Sequence, residues 1–313
     1  MSGAGPASTA RRGVVVVVGD VIDDVVVRPL GPVTHDSDTR AVIVRREGGS
    51  GANTACWMAW AGAPVTFVGR VAAADVERHA AAMAAFGVDA RLVADADRET
   101  GRIIILVDPD GARTMFTDRG ANLALTAEDV PPGLVEDAAL VHLSGYSFVE
   151  PGVREAALAV LARARAAGVP VSVDPNSAAF LREVGPAEFL AWTAGADLCL
   201  PNLDEARVLT GVADAEDAAV ALSSSYGMVV VTCGAAGAVV AAGGRVLGTV
   251  AEEPVAAVDS TGAGDSFGAG FLAAWTSGEH DPLAAAHAGA RLARGAVGRM
   301  GARPPLPDPA PAA

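Results

Sequence analysis

The chain has 313 residues, of which 51% are apolar and only 4% aromatic, so it can bury a large core built from small aliphatic side chains. Its formal net charge of −14 argues against nucleic acid or an anionic membrane as a partner, because both require a basic surface. All 23 basic residues are arginines, which excludes mechanisms that need a lysine, such as a P-loop lysine or a Schiff base.

Both ends of the chain are predicted to be disordered, over residues 1–12 and over the Pro- and Ala-rich residues 303–313. The apolar run after Arg12 is too short for an export signal, and no run is long enough to span a membrane. The three cysteines are scattered along the chain, which indicates free thiols in a reducing compartment. We therefore expect a cytoplasmic protein.

The first predicted element is the β-branched run from Gly13 to Gly19, which is typical of a strand buried on both faces of a parallel sheet. The acidic turn from Asp20 to Asp24 then lies at the carboxyl end of that strand, where open α/β sheets bind ligands. This turn lacks a G-x-G-x-x-G sequence, which argues against a dinucleotide-dependent dehydrogenase.

A glycine-rich turn, GGSGAN, joins a predicted strand at 40–46 to an apolar helix that contains Trp57 and Trp60. The glycines allow the backbone to approach a ligand closely, and the amide group of Asn53 can both donate to and accept from sugar hydroxyls. The structural alternative is a tight turn with Asn53 near the start of a helix.

In the middle of the chain, Gly101–Val107 and Ala112–Thr117 are predicted strands, and the sequence DPDG between them is a strong hairpin signal. From Ala139 onward, strands and helices alternate, which predicts βαβ crossovers and a parallel sheet with helices on both faces. The strands are expected at 140–143, 169–174, 197–200 and 228–232, and a helix is expected at 153–167.

Two short motifs follow strands in this half of the chain. Asn202 and Glu205 stand three residues apart at the start of a helix, and a capping box would explain that spacing without any chemistry. Thr232 and Gly234 follow the strand at 228–232, where a plain β turn is the structural alternative.

The densest glycine cluster, DSTGAGDSFGAGF at 259–271, leads into an apolar helix at 272–275. Glycines in such a place allow backbone amides to converge at a helix N-terminus, where the amides and the helix dipole favour an anion. Asp265 lies among these glycines, and a carboxylate beside a bound phosphate makes sense as the base that deprotonates an attacking hydroxyl. The alternative is a packing turn with a first-turn aspartate as a cap or dipole partner.

This cluster resembles the second signature of the PfkB, or ribokinase-like, family of carbohydrate and nucleoside kinases, which usually reads DTxGAGD and here reads DSTGAGD. The first signature of that family begins GGxxxN, and Gly48, Gly49 and Asn53 match it. The two signatures occur in the family's order. After Gly69 the chain departs from the family, because Ala72 to Asp75 stand where a glycine and an acid pair are common.

The resemblance implies a ribokinase-like three-layer α/β/α fold over residues 13–302, with a mostly parallel central sheet plus a small β lid. The lid is assigned to approximately 21–47 and 98–118. The resemblance also implies that the lid closes over the sugar and that it pairs with a second subunit in a homodimer. The alternative is a hairpin at the sheet edge with no moving role.

The same resemblance implies an ATP-dependent kinase that phosphorylates an alcohol, most readily the primary CH₂OH of a sugar or sugar acid. Asp265 is then the catalytic base. The backbone amides of Gly262, Ala263 and Gly264 would stabilise charge on the transferring phosphoryl group. The residues expected to hold the acceptor are Asp24, Gly49 and Asn53.

The remaining predicted site residues bind the nucleotide and its ions, again by resemblance. The residues expected to contact ATP are Asn202, Thr232, Gly234 and His287. Mg²⁺ is expected to act through Asn202 and Glu205, with water in between, and K⁺ is a further candidate ion near Asp259 and Thr261.

Two other functions stay open at this point. A nucleoside kinase of the same fold is the first, although the scarcity of aromatic residues for stacking on a base favours a sugar. A protein that binds sugar or nucleotide on a kinase fold without turnover is the second, because the loop at Ala72 to Asp75 departs from the family.

Overall fold

The structure is a computed structural model that describes residues 13–108, 113–253, 255–279 and 281–306. Residues 1–12 and 307–313, which belong to the segments predicted to be disordered, lie outside these ranges, as does most of the DPDG turn. Within the described ranges, no helix combines the length and the apolar character that a bilayer crossing requires.

The strands are β1 (Val15–Val18), β2 (Ile22–Pro29), β3 (Ala41–Gly48), β4 (Val65–Ala72), β5 (Asp89–Asp95), β6 (Gly101–Val107), β7 (Arg113–Asp118), β8 (Leu140–Ser144), β9 (Val171–Asp174), β10 (Leu198–Cys199), β11 (Met228–Thr232), β12 (Ala238–Ala242) and β13 (Arg245–Val250). The helices are α1 (Ser50–Trp60), α2 (Val76–Ala84), α3 (Pro151–Ala166), α4 (Ala178–Val184), α5 (Pro186–Trp192), α6 (Leu203–Thr210), α7 (Ala215–Leu222), α8 (Ala263–Thr276) and α9 (Pro282–Val297).

The described strands form one sheet of nine strands in the order β13-β12-β11-β10-β9-β8-β1-β4-β5. The pairs from β5 to β11 are parallel, and β12 and β13 add an antiparallel edge. The predicted ribokinase-like α/β fold with a mostly parallel sheet is therefore confirmed. Parallel strands also place their carboxyl ends along one edge, where ligands bind.

Each face of this sheet packs against a helical layer. Helices α3 to α7 cover one face, and α1, α2, α8 and α9 cover the other. The side chains of Val15 to Val18 are fully buried between the two layers. A strand enclosed on both faces has no polar face, which is why this run consists of valine alone.

A second sheet of four strands, in the order β3-β2-β6-β7, stands apart from the large sheet. We call it the small sheet. It corresponds to the small β lid, while its closing motion stays a prediction. The acidic turn predicted at Asp20 to Asp24 is shorter than expected, because β2 begins at Ile22. Asp23 can lie buried in this strand because Arg45 and Arg78 form ion pairs with it.

Helix α8 begins nine residues earlier than the apolar run at 272–275 suggests, and it includes most of the glycine cluster. The reason lies in its packing against α9. A Cβ on Gly270 would stand 2.8 Å from the carbonyl oxygen of Ala288, and one on Gly289 would stand 2.6 Å from that of Phe267. These glycines therefore allow two helices to approach closely, which outweighs their low helix propensity.

Candidate active site

The loop that leads into α8 presents unpaired backbone amides. Gly262, the residue before the helix, has a left-handed φ of 76°, and a Cβ there would lie 2.6 Å from the carbonyl oxygen of Ala302. The amide of Ala263 donates to the carbonyl oxygen of Ser260 at 3.3 Å. The amides of Gly262 and Gly264 have no acceptor within the described part of the chain. Three backbone amides were predicted to bind an anion, and those of Gly262 and Gly264 are available to do so.

Asp265 lies in the first turn of α8, and its carboxylate contacts the GGSGAN turn directly. Its Oδ1 accepts a hydrogen bond from Ser50 Oγ at 2.7 Å, and its Oδ2 accepts one from Asn53 Nδ2 at 2.9 Å. Burial raises the pKa of Asp265 to about 6, and the hydrogen bonds from Ser50 and Asn53 oppose that rise. A carboxylate with a pKa near neutrality is suited to act as a general base.

A partly buried polar network contacts Ser50 behind Asp265, and the sequence analysis did not identify it. Asn176 Nδ2 donates to Ser50 Oγ at 2.8 Å, and Asn176 Oδ1 accepts from Ser144 Oγ at 2.8 Å. Asn176 has a φ of 64°, which is uncommon for a residue other than glycine. Its position two residues after strand β9 was the available signal, because side chains at the carboxyl ends of parallel strands meet at one edge.

Three cavities meet at the loop before α8. A cavity of about 400 Å³ lies between this loop and the small sheet, and one of about 180 Å³ borders Asp265. A third, of about 320 Å³, lies against α8 and α9, and Ser260 lines all three. A larger open groove of about 730 Å³ on the far side of α8 includes none of the predicted site residues.

Of the residues expected to hold the acceptor, Asp24 lines the first of these cavities, whereas Gly49 and Asn53 lie in the GGSGAN turn that contacts Asp265. Asp24 is largely buried, and burial raises the pKa of Asp24 to about 7. Gly49 has a φ of 94°, and a side chain there would collide with the backbone of Asp20. Asn53 Oδ1 is buried and has no hydrogen-bond partner among the described residues. Because Asn53 contacts Asp265 at the 180 Å³ cavity, this unsatisfied acceptor indicates a site for a hydroxyl donor.

The residues expected to contact ATP fall into two groups. Thr232 and Gly234 line the 320 Å³ cavity, and Thr232 and Asn202 line the 180 Å³ cavity. His287 lines neither cavity, and its Nδ1 lies 3.3 Å from Glu252 Oε1. Helix α9 reaches the 320 Å³ cavity through residues further along, namely Ala290, Ala293, Arg294 and Val297. His287 lies three residues before Ala290, the first residue of α9 that lines this cavity, so its contact with ATP stays a prediction.

Asn202 and Glu205 form a complete capping box at the start of α6. Asn202 Oδ1 accepts from the Glu205 amide at 3.0 Å, and Glu205 Oε2 accepts from the Asn202 amide at 2.9 Å. The structural alternative for this motif is therefore present. It does not account for the surroundings of Glu205, which is 2% exposed and has a pKa raised by burial to about 7.

Those surroundings suit a divalent cation. Glu205, Asp174 and Asp265 all line the 180 Å³ cavity, and none of the described residues that line it is basic. Burial, and then the charges of Glu205 and Asp265, raise the pKa of Asp174 well above its ordinary value. In the described ranges no three such side chains are placed to hold a metal directly. The residues therefore fit an ion that keeps its water ligands, as Mg²⁺ does.

The arrangement at Asp259 and Thr261 does not fit a potassium ion, because a guanidinium group already occupies the position next to the Asp259 carboxylate. Asp259 Oδ1 accepts from the Thr261 amide at 2.9 Å and from Arg113 Nη1 at 3.2 Å, while Oδ2 accepts from the Gly301 amide at 3.0 Å. The Arg113 guanidinium also donates to the hydroxyls of Ser260 and Thr261. A potassium ion at Asp259 would have to displace this resident cation.

The departed loop after β4 has a structural task. Asp75 Oδ2 accepts a hydrogen bond from Thr100 Oγ1 at 2.6 Å, and Asp75 also forms an ion pair with Arg78 at 2.9 Å. Arg78 in turn pairs with Asp23 of the small sheet at 2.9 Å. This loop therefore ties the small sheet to α2, without a contact to the three cavities.

Comparisons with known proteins agree with this geometry. The family model for pfkB family carbohydrate kinases matches residues 13–309. A fructokinase from Klebsiella pneumoniae is 30% identical over 286 residues, covering 88% of each chain. The structure of adenosine kinase from Sinorhizobium meliloti matches with a TM-score of 0.83 at 26% identity, over 94% of this chain and 96% of that one. Fructokinase from Vibrio cholerae O395, with fructose, ADP and calcium bound, matches with a TM-score of 0.78 at 25% identity, over 95% and 96%.

Proposed function

Because the chain belongs to the pfkB family of carbohydrate kinases, we propose that it transfers the γ-phosphoryl group of ATP to a primary hydroxyl of a sugar or sugar acid. The observation that carries the proposal is the position of Asp265. Its carboxylate stands where the acceptor turn, the free amides before α8 and the 180 Å³ cavity meet. The experiment that tests it is the measurement of ADP formation from ATP with a panel of sugars, sugar acids and nucleosides.

In this proposal the acceptor occupies the 400 Å³ cavity, where Asp24 binds it, and extends towards Asp265, where Gly49 and Asn53 of the neighbouring turn bind its hydroxyls. The attacking hydroxyl approaches Asp265, which takes its proton as the new oxygen–phosphorus bond forms, while the bond between the γ-phosphorus and the β–γ bridging oxygen breaks and ADP leaves. The amides of Gly262 and Gly264 then stabilise the charge on the transferring phosphoryl group. A preorganised donor of this kind contributes about 3 kcal/mol where it has been removed in other enzymes.

We propose that the nucleotide occupies the other two cavities. The adenosine part would occupy the 320 Å³ cavity beside Thr232 and Gly234, and the phosphates would extend past Thr232 towards Asp265. Asn202 and Glu205 would hold Mg²⁺ through water, with Asp174 as a third carboxylate at the same cavity. When bound, this ion neutralises charge on the phosphates. No step involves potassium, because the Arg113 guanidinium already forms an ion pair with Asp259.

Replacement of Glu205 by Gln separates its two roles. A Gln at this position still completes a capping box, so the melting temperature should change little. Loss of the charge should raise the Mg²⁺ concentration for half-maximal rate by about tenfold, because hydrogen bonds to charged groups are worth about 1.5–3 kcal/mol. The matched control is Glu216→Gln, an exposed first-turn glutamate of α7. An unchanged Mg²⁺ dependence in Glu205→Gln would leave only the capping role.

The main alternative is a nucleoside kinase of the same fold. No aromatic side chain lines the 400 Å³ cavity among the described residues, so a base would find nothing to stack on. This supports a sugar. ADP formation with a nucleoside but with no sugar would reverse the choice, and the absence of turnover with every acceptor would favour a non-catalytic binding protein.

We further propose a cytoplasmic homodimer that associates through the small sheet. The sheet exposes Ile43 to 64% and Phe116 to 59%, and strand register places both on the face that points away from the 400 Å³ cavity, together with Ile104. A second copy would bury this face. We expect Phe116→Asp to yield a monomer by light scattering, whereas Trp60→Asp in α1 should leave the mass unchanged. A wild-type monomer at micromolar concentration would contradict the proposal.

A further inference from the structure

The arginines on the inner face of the small sheet are not all accounted for by the proposed chemistry. Strand register places Asp24 opposite Arg46, and Arg46 lines the 400 Å³ cavity together with Arg28 and Arg113. Arg113 is bound to Asp259, as described above. Arg28 and Arg46 are left without an ion pair or hydrogen bond among the described residues.

Arg46 is the more telling of the two, because it is half-buried. Its guanidinium lies against the loop after α9, where a Cβ on Gly301 would come within 2.6 Å of Arg46 Nη1. Its chain neighbour Arg45 points to the opposite face and forms an ion pair with Asp23 at 2.5 Å. In a chain with 37 acidic residues and 23 arginines, a half-buried guanidinium without a partner is an unsatisfied charge.

Arg303 adds a second unsatisfied donor on the same side of the site. Its Nη2 donates to the carbonyl oxygen of Gly48 at 3.4 Å, and its Nε is buried without any acceptor. Gly48 borders Asp24 closely, since a Cβ on this glycine would overlap the Asp24 carboxylate. Two guanidinium groups with free donors therefore flank the acceptor cavity near Asp24.

The acids that line this cavity do not neutralise Arg46. Asp259 is engaged by Thr261, Gly301 and Arg113. Asp24 stands opposite Arg46 on the neighbouring strand, yet the two groups form no ion pair within 4.0 Å, because Arg46 extends towards Gly301. Glu47 also lines the cavity, yet it forms no ion pair with Arg46 within 4.0 Å. None of the three acids therefore binds this guanidinium directly, and an anionic group on a ligand in the cavity can do so.

We propose that the acceptor is an anionic sugar, whose carboxylate or phosphate group binds Arg46, with Arg28 at the rim of the cavity and Arg303 beside Asp24. This inference rests on the proposed kinase function and narrows its substrate class. Arginine suits the task because its planar fork of donors matches a carboxylate or a phosphate oxygen pair. The anionic group lies on the side of the acceptor away from the hydroxyl that approaches Asp265.

The test compares Arg46→Met with Arg102→Met, an exposed arginine on the opposite face of the same sheet. ADP formation is measured with fructose 1-phosphate, fructose 6-phosphate and 2-keto-3-deoxygluconate, each against fructose and ribose. The two phosphates and the sugar acid distinguish a phosphate from a carboxylate as the anion. We expect one anionic acceptor to exceed the neutral sugars at least about 100-fold in kcat/KM, as for a charge-assisted bidentate contact.

For that acceptor, Arg46→Met should raise KM about 10- to 100-fold with little change in kcat, and Arg102→Met should leave both within about twofold. The anion site would be overturned if the best acceptor were a neutral sugar or a nucleoside and Arg46→Met and Arg102→Met had the same kcat and KM. The proposed kinase function would still hold in that case. If no acceptor yields ADP, calorimetry with the same anionic sugars decides. Binding that Arg46→Met abolishes would support the site without turnover, and no binding would overturn it.

Discussion

Replacement of Asp265 by Asn is expected to lower kcat by about 10³-fold, since a positioned general base contributes roughly 10²- to 10⁴-fold. The amide keeps the size of the carboxylate and can still bond to Ser50 and Asn53, so the site geometry should persist. ATP binding, measured by calorimetry or by a nucleotide-induced rise in melting temperature, should be retained. The assay is ADP release in the presence of the best acceptor.

The pH dependence of the wild-type protein provides the control for this variant. Since the pKa of Asp265 is raised to about 6, mainly by burial, the carboxylate is protonated below that pH and cannot accept the proton. The rate should therefore rise between about pH 5 and pH 7 in the wild-type protein. The residual rate of Asp265→Asn should lack the part of this rise that is centred near pH 6, while a part nearer pH 7 from Asp24 and Glu205 remains. Near-normal ADP release by the variant would remove Asp265 from the role of base.

Replacement of Gly262 by Ala is expected to have the second-largest effect, although it removes no chemical group. The left-handed φ of 76° costs about 1–2 kcal/mol for a residue with a Cβ. The added methyl would also stand 2.6 Å from the carbonyl oxygen of Ala302, so the loop has to shift. A displacement of about 1 Å in the phosphate-binding amides can cost about 10²-fold in rate. We expect a loss of that order in kcat and a lower melting temperature.

Gly295→Ala is the matched control for Gly262→Ala. Gly295 lies in α9, and a Cβ there would meet no atom within 4 Å. Alanine favours a helix over glycine by about 1 kcal/mol, so this variant should be as stable as the wild-type protein or more stable, with its activity retained. If Gly262→Ala behaves like Gly295→Ala, the amides before α8 do not have to be held in their present positions.

The glycine cluster at 259–271 shows how far sequence reasoning reaches. The density of glycines predicted an anion site at a helix N-terminus, and the free amides of Gly262 and Gly264 agree with that prediction. The density of glycines did not reveal a second role, which is that Gly270 allows α8 and α9 to pack closely. The sequence does not distinguish a glycine that is needed for close helix packing from one that is needed for a left-handed φ.

The motif at Asn202 and Glu205 shows a different limit. Its spacing indicated a capping box and the family resemblance implied a contact with magnesium, and the structure contains the capping box. What draws Glu205 into the site is its position beside Asp174 and Asp265, which lie 31 residues before it and 60 residues after it in the chain. The electrostatic reason for a cation thus arises between segments, and no local pattern contains it.

The sequence by itself determined the α/β class and the family, and it singled out Asp265 as the proposed base. The evidence for these lies in local patterns, namely valine runs without a polar face, alternating strands and helices, and two glycine-rich signatures. Such patterns can be identified from the order of the residues alone. Only the tertiary structure decided that Ser50 and Asn53 donate hydrogen bonds to Asp265. It also decided that Arg113 forms an ion pair with Asp259, and that Arg46 lines the 400 Å³ cavity without a partner among the described residues. Each of these depends on hydrogen bonds or charges that operate over a few ångströms between residues far apart in the chain, so folding has to bring the partners together before the interaction exists.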